Sequence, residues 1–559
     1  MPNTQSSPAL LPDLISLCQE ACPAIDQFVA RAKSKVAPAI SADKKIDPAA
    51  MEKNQFAAHG FAWFATYAQG LRQILHWAEQ CAANNQLGPL EQLILQISFG
   101  EYTSQLLGGI PISASEIVRP HDLGLDDEDT AAFLTPPVRT LIEQANSAAA
   151  RQALSDLIVQ THHGSFGEHG IHDEALLLAR QQFSRFVDEQ VIPPAQSWHL
   201  NNDLIPREII QRMADLGVFG LTLPEDDGGL GLGKIAMAMI TEELSRGSLA
   251  VGSLSTRSEI AAELIRAHGT QQQQQKYLAK IAAGEILPTA VFTEPDVGSD
   301  IASIKTRAIR NGDAYAITGN KTWITHGARA DLMTLLVRTG SPKDGYKGLS
   351  MFLAEKPPGT EQDPFPANGM SGQEIEVLGY RGMKEFEIAF DGFTVPVDAL
   401  LGGEEGQGFK QLMATFETAR IQTAARSVGV AQSALELAFQ YAEDRKQFSK
   451  PLTAYPRIAG KLAFMAAETM MARQLTYFAA REKDSGKRCD IEAGMAKLLA
   501  ARIAWTNADS AVQIFGGMGY ALETPISRVL CDARILNIFE GTAEIQAQII
   551  ARGLIGNRN

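Results

Sequence analysis

"TRAIRNGDAYAITGNKTWIT", residues 306–325, is the stretch that settles the fold class. Apolar and polar residues alternate on both sides of Asn311-Gly312, the period of a strand, and Asn-Gly is a strong short-range hairpin signal. Strand-like runs continue in "ADLMTLLVRT" (330–339), "GLSMFLAEK" (348–356) and "EFEIAFDGFTVP" (385–396). Together they predict a compact β domain over residues 289–404.

On either side the spacing of apolar residues turns helical. Residues 172–288 read as a helical domain, broken by the glycine-rich turn "LPEDDGGLGLG" (223–233), and 405–559 as a C-terminal helical bundle. Residues 1–150 read as a further helical extension. Within it "FAWFATYAQGLRQILHWAEQ" (61–80) is amphipathic and rich in aromatics, which predicts one face packed on another element. Residues 151–171 read as a linker, and "THHGSFGEHGIHDEA" (161–175) as hydrated chain. Its His162, His163, His169 and His172, with Glu168, are ligand types that suit zinc, but the glycines argue against a rigid ligand scaffold. The fold class predicted is mostly α with a central β domain.

Composition narrows the function. The chain has 559 residues, too many for one ordinary core, and a formal net charge of −14, which argues against a dominant role on nucleic acid or anionic membranes. Cys18, Cys22, Cys81, Cys489 and Cys531 are few and scattered, so a reducing compartment is expected rather than a disulfide framework. The N-terminus lacks a basic start followed by an apolar run, and no apolar run is long enough to span a bilayer. The expectation is a cytoplasmic protein.

Five stretches carry chemistry. "VFTEPDVGSD" (291–300) presents hydroxyls and backbone N–H groups suited to a flat heterocycle or a phosphate. "KTWITHGARAD" (321–331) places Trp323 and Thr325 two apart, on one face of a strand. "EDRKQFSKPL" (443–452) carries an arginine, and "AVQIFGGMGY" (511–520) is a glycine-broken helix where a ligand or backbone approaches closely. No G-x-G-x-x-G fingerprint is present. "NIFEGTAEIQ" (537–546) sets Glu540 between bulky Phe539 and Gly541.

Taken in order, "PEDDGGLGL", "TEPDVGSD", "KTWIT", "EDRKQF", "AVQIFGGMGY" and "FEGTAEIQ" resemble the acyl-CoA dehydrogenase family over residues 172–559. The resemblance implies an α domain, a β-barrel-like domain and a C-terminal four-helix bundle, with FAD between them, behind an N-terminal helical extension. By motif position Phe292, Thr293, Gly298 and Ser299 line FAD, with Trp323 and Thr325 on its other flank, and Ser299 also faces substrate. Arg445, Gln447 and Phe448, with Gln513 and Gly517, reach the FAD of a neighbouring subunit, which implies a homodimer or homotetramer. Thr542 and Glu544 match positions near the cofactor, the second being often glutamine in the family. Electron-transferring flavoprotein is the family's usual acceptor.

Glu540 matches the family's catalytic base, which takes an α proton from an acyl-CoA while the β hydrogen leaves as hydride. Desolvation beside Phe539 improves a carboxylate as a base for so weak an acid. Members that carry the base elsewhere do so in a stretch like "FETARIQTAARSVG" (416–429), where this chain has Ala419. Glu417 and Arg420 there match positions near CoA.

Two departures bear on the substrate. Arg257, in "GSLSTRSEIAAELI" (252–265), falls on the helix that closes the acyl pocket, and a buried arginine needs an anion: either Glu259 or a substrate carboxylate. Glu385, in "LGYRGMKEFEIAFDGFTVP" (378–396), is an added acid near the flavin that orients Arg257 or Trp323, or limits access. With the long N-terminal extension, these departures resemble a branch of the family that oxidises a short, branched, dicarboxylic thioester, and that resemblance sets the expectation. The alternatives are a short branched monocarboxylic acyl-CoA, an oxidase that passes electrons to oxygen, and an inactive flavoprotein scaffold.

Overall fold

The structure, a computed structural model, describes residues 9–42, 45–162 and 166–556. His163 lies outside them. The chain forms two compact units: residues 1–178 with 423–559, and residues 179–422.

The helical extension begins with α1 (Leu14–Ile40), α2 (Gln55–Ala83) and α3 (Pro89–Gly108). α4 (Ala148–Gln160) runs past the point where the linker was expected to start. α2 buries residues all round its axis, Phe61, Trp63, Phe64, Tyr67, Ile74 and Trp77 among them, rather than one face. The reason is its place inside the first unit, packed against α1 on one side and the C-terminal helices of the same unit on the other. Phe28 and Phe133 stack at 4.4 Å to close the far end of this core.

Part of the histidine-rich segment packs: Phe166 and Gly167 are buried, whereas His162, Glu168 and His172 are exposed as hydrated chain would be. The Trp77 indole N–H donates to the Glu168 carbonyl at 2.7 Å, and Gln474 donates to the His169 carbonyl at 2.9 Å. Its glycines permit this approach: a Cβ on Gly170 would lie 2.9 Å from Trp77, and one on Gly167 2.9 Å from Ile94. Among the described residues no group of His, Cys, Asp or Glu is arranged to hold a metal ion.

The second unit holds α5 (Lys234–Gly247), α6 (Leu249–His268) and α7 (Gln271–Ala282), then a seven-stranded sheet. Its strands are β1 (Pro288–Val291), β2 (Arg307–Asn311), β3 (Ala314–Thr325), β4 (Leu332–Arg338), β5 (Leu349–Glu355), β6 (Met370–Ile375) and β7 (Glu385–Pro396). The order is β6-β7-β3-β2-β4-β1, with β5 paired to β4. β2 and β3 form the expected hairpin, Asn311 pairing with Ala314 across Gly312, whose φ of 62° needs glycine's freedom. α6 and α7 pack Ile260, Leu264 and Leu278 against Leu332 and Leu336 of the sheet. The turn at 223–233 is tight, as expected: a Cβ on Gly229 would fall 2.2 Å from the Leu223 carbonyl oxygen.

α8 (Gly408–Asp444) contributes residues to both units. α9 (Pro456–Asp484), α10 (Asp490–Phe515), α11 (Pro525–Ile535) and α12 (Ala543–Ile555) complete the first. Among the described residues no helix is long and apolar enough to cross a membrane.

Candidate active site

Glu540 sits on the loop between α11 and α12 in a left-handed backbone conformation, φ 54°, followed by Gly541 at φ 86°. A non-glycine residue in that region is strained, so neighbours must hold it there. They do. Lys497 donates to the Gly541 carbonyl at 2.6 Å, and Gln546 to the Glu540 carbonyl at 3.1 Å. Thr542 caps α12, its hydroxyl accepting from Ile545 N at 3.3 Å. The Glu540 side chain is 16% exposed, with Oε1 3.8 Å from Nη2 of fully buried Arg426. That guanidinium lies 4.8 Å from the Phe539 ring centroid and donates to Thr423 at 2.7 Å. The result is a carboxylate on a rigid loop beside an aromatic ring and a buried cation.

At one end of the same unit, Tyr441 of α8 stacks on Phe515 of α10 at 4.1 Å. This draws the segments that follow them together. After α8, Arg445 and Gln447 enter a small hairpin whose tip, Phe448, is 90% exposed. After α10, Gly517 precedes Tyr520, 91% exposed, and Gln513 faces solvent. Thr542 and Glu544 line a cavity of about 1100 Å³ shared with Phe56, His59 and Trp63 of the extension. Burial there lowers the His59 pKa, and Glu544 opposes the shift.

In the second unit, a bulge interrupts the pairing of β3 with β7 between Ile324 and Lys321. Trp323 lies in it with φ 58° and is 56% exposed, while Thr325 is buried. The expected shared face of Trp323 and Thr325 is therefore lost. The bulge turns an aromatic plane outward that a regular strand would have packed. Thr325 instead donates to Glu385, its register partner at the start of β7, at 2.7 Å.

Beneath the 291–300 loop runs a buried pair that sequence reasoning missed. Lys321 donates to the Phe292 carbonyl at 2.7 Å and to Glu294 at 3.0 Å, and Glu294 accepts from the backbone of Lys305 and Thr306. Burial lowers the Lys321 pKa to about 8 against the pull of Glu294. The pair pins Thr293, whose carbonyl accepts from Thr322 N at 3.0 Å.

Arg257 is half-buried on α6. The Glu259 carboxylate is taken up by Thr222 and Lys234, and residues two apart point to opposite sides of a helix. Arg257 instead shares a positively charged neighbourhood with Arg329, Lys356 and Arg207. At its centre His326 is 2% exposed, with neither ring nitrogen hydrogen-bonded. Burial, then those cations, lower its pKa to about 3. Farther along, Arg420 lies over the Phe416 ring at 5.6 Å beside half-buried Glu417, and Ala419 is buried.

Family models place this arrangement. The acyl-CoA dehydrogenase N-terminal, middle and C-terminal domains match residues 173–285, 289–393 and 406–555. A (2S)-methylsuccinyl-CoA dehydrogenase from Cereibacter sphaeroides is 57% identical over 98% of this chain and 99% of its own length. The chain belongs to the acyl-CoA dehydrogenase family. It is therefore an FAD-dependent oxidoreductase that acts on an acyl-CoA.

Solved structures agree. The butyryl-CoA dehydrogenase of Megasphaera elsdenii matches at a TM-score of 0.65 and 30% identity, covering 69% of this dehydrogenase and 99% of that chain. A chain solved in work on the electron transferring flavoprotein of Acidaminococcus fermentans matches at 0.65 and 31%, covering 70% and 99%. The residues present fit FAD. Trp323 offers an exposed ring, and a Cβ on Gly298 or on Gly517 would meet nothing within 4 Å, which leaves room for a ligand at both.

Proposed function

We propose that the chain oxidises (2S)-methylsuccinyl-CoA to mesaconyl-CoA, with Glu540 taking the α proton. The observation that carries the reading is the similarity to the relative of that name, which extends over the N-terminal extension as well as the three family domains. The held loop supports the role of Glu540, because a base fixed in one conformation loses no freedom when substrate binds. Its backbone N–H donates to the thioester carbonyl as negative charge builds there.

FAD supplies the acceptor for the β hydride. Phe292, Thr293, Gly298 and Ser299 would line it on one side and Trp323 and Thr325 on the other, with Thr542 near the cofactor. Glu385 fixes the Thr325 hydroxyl, Glu417 and Arg420 stand near CoA, and Arg257 adds positive charge that draws an anionic substrate. Arg445, Gln447, Phe448, Gln513 and Gly517 serve the cofactor of a second copy in a homodimer or homotetramer. The exposure of Phe448 and Tyr520 supports that assembly. Electron-transferring flavoprotein accepts the electrons.

The test is anaerobic. The purified flavoprotein is mixed with (2S)-methylsuccinyl-CoA and, separately, with isobutyryl-CoA, and the flavin absorbance is followed. Fast bleaching by the dicarboxylic thioester alone is expected. Bleaching by isobutyryl-CoA alone would overturn the substrate assignment and leave the family standing.

A further inference from the structure

The cavity that Thr542 and Glu544 share with the extension takes no part in the chemistry above, yet it is walled like a binding site. It measures about 1100 Å³ and lies wholly within the first unit. α2 forms one wall. Its Phe56, His59 and Trp63 are spaced i, i+3 and i+7, which sets them on one helix face. Gly60 beside them lets the helix sit tight on the chain that follows: a Cβ there would lie 2.7 Å from Val118. At the start of α12, Ala543 and Ala547 are too small to fill the space.

Two uncharged groups define what fits. Nε2 of His59 is buried and meets no hydrogen-bond partner, a costly state that a ligand atom would relieve. Burial lowers the pKa of this imidazole, so at neutral pH it offers one nitrogen as donor and the other as acceptor. The edge of adenine presents both an amino donor and ring-nitrogen acceptors. Phe56 is 75% exposed, a flat ring on which a base can stack. Arg457 and Lys461, one turn apart on α9, line the cavity with no ion-pair partner among the described residues, which suits a diphosphate. Glu101, Glu116, Asp509 and Glu544 line it too, so charge alone does not choose the ligand and the uncharged groups do.

Position then names the nucleotide. Thr542 is two residues from Glu540, which works beside the flavin, so this wall begins at the flavin end of the site. FAD carries an adenosine diphosphate beyond its flavin. We propose that the N-terminal extension is part of the cofactor site, with His59 hydrogen-bonding the adenine of FAD and Phe56 lying against its ring. The inference rests on the proposed place of Thr542 near the cofactor. Residues 56–63 precede the first family domain, which begins at residue 173, so the contact comes from outside the three family domains.

The test is release of flavin from the holoenzyme, followed by the rise of its fluorescence on dilution. His59→Ala and Phe56→Ala are each expected to speed release about tenfold, and the double variant about 100-fold. His59→Gln, which keeps a donor and an acceptor, is expected to stay within about threefold of wild type. Tyr67→Phe loosens the extension without touching the cavity wall, and is expected to lower the melting temperature with release unchanged. Release within twofold of wild type in the double variant would overturn the proposal. So would equal acceleration in Tyr67→Phe, which would make the extension a support only. Phe56 is exposed, so its variant carries the test where His59→Ala fails to fold. Thr542→Ala tests the reading beneath: fast release in it alone overturns the role of the extension and leaves the cofactor's placement standing, whereas unchanged release in all of them overturns both. Stoichiometric binding of added ADP to the flavin-saturated holoenzyme, read by calorimetry, would show the cavity serving another nucleotide and would also overturn the proposal.

Discussion

Arg502 and Glu468 meet at 2.8 Å, whereas Arg426 and Glu540 stay 3.8 Å apart in the same helical unit. The first pair is closed. Arg502 also donates to Tyr67, to the Pro111 carbonyl and to Tyr102, and Tyr102 donates to Glu468 at 3.1 Å. Burial pushes the Tyr67 hydroxyl up to about 12, so it stays a donor. Tyr67, Tyr102 and Pro111 come from the extension and Glu468 and Arg502 from α9 and α10, so the network binds those two parts of the chain together. In the second pair the carboxylate is 16% exposed and sits on a strained loop. A buried pair whose partners meet at hydrogen-bonding distance holds structure; the pair at contact distance is the one that contains the expected base.

The sharpest way to break this contrast is to exchange one carboxylate in each pair. Glu540→Gln is expected to slow substrate-dependent flavin bleaching by about 10²–10⁴-fold, the usual contribution of a general base, with little change in melting temperature. Glu468→Gln is expected to do the reverse. It leaves Arg502 buried beside a neutral amide, costs about 3 kcal/mol of stability in thermal unfolding, and keeps turnover per bound flavin. Loss of turnover without loss of stability in Glu468→Gln would erase the distinction.

His326 sharpens the comparison by pH. Its folded-state pKa of about 3 lies below the 6.5 of an ordinary histidine. The unfolded chain therefore binds the proton first as pH falls. The histidine's contribution is present above pH 6.5 and is lost progressively toward pH 3, at roughly 1.4 kcal/mol per pH unit. His326→Gln is expected to flatten the stability profile over that window; an unchanged slope would show that other groups govern it. The smallest effect is expected from Tyr67→Phe. One hydrogen-bonding hydroxyl in the closed network is worth about 1 kcal/mol, seen as a small drop in melting temperature with activity intact.

Much of this was legible in the chain itself. The Asn311-Gly312 hairpin announced the β domain because turn chemistry is local. Glu540 stood out as the expected base because its motif is contiguous. Arg426 was not legible, since the partner that gives it meaning comes far along the chain and only the fold of the first unit joins them. Trp323 was misread in direction. A bulge depends on how β3 registers against β7, and a one-residue offset redirects a side chain. Where the 161–175 segment packs was not legible, because glycine marks both free chain and close packing, and the carbonyls of Glu168 and His169 are held by Trp77 and Gln474 from far along the chain.

The sequence by itself determined the order of helical and strand regions, the family and the identity of the acid expected to act as base. Each depends on residues near one another in the chain, where period, turn residues and motif spacing operate. Tertiary structure alone decided which charges are buried, which of them meet, and at what distance. Those depend on desolvation and on contacts between segments remote in sequence, and they separate a glutamate that meets its arginine at 2.8 Å from one that stands 3.8 Å from its own.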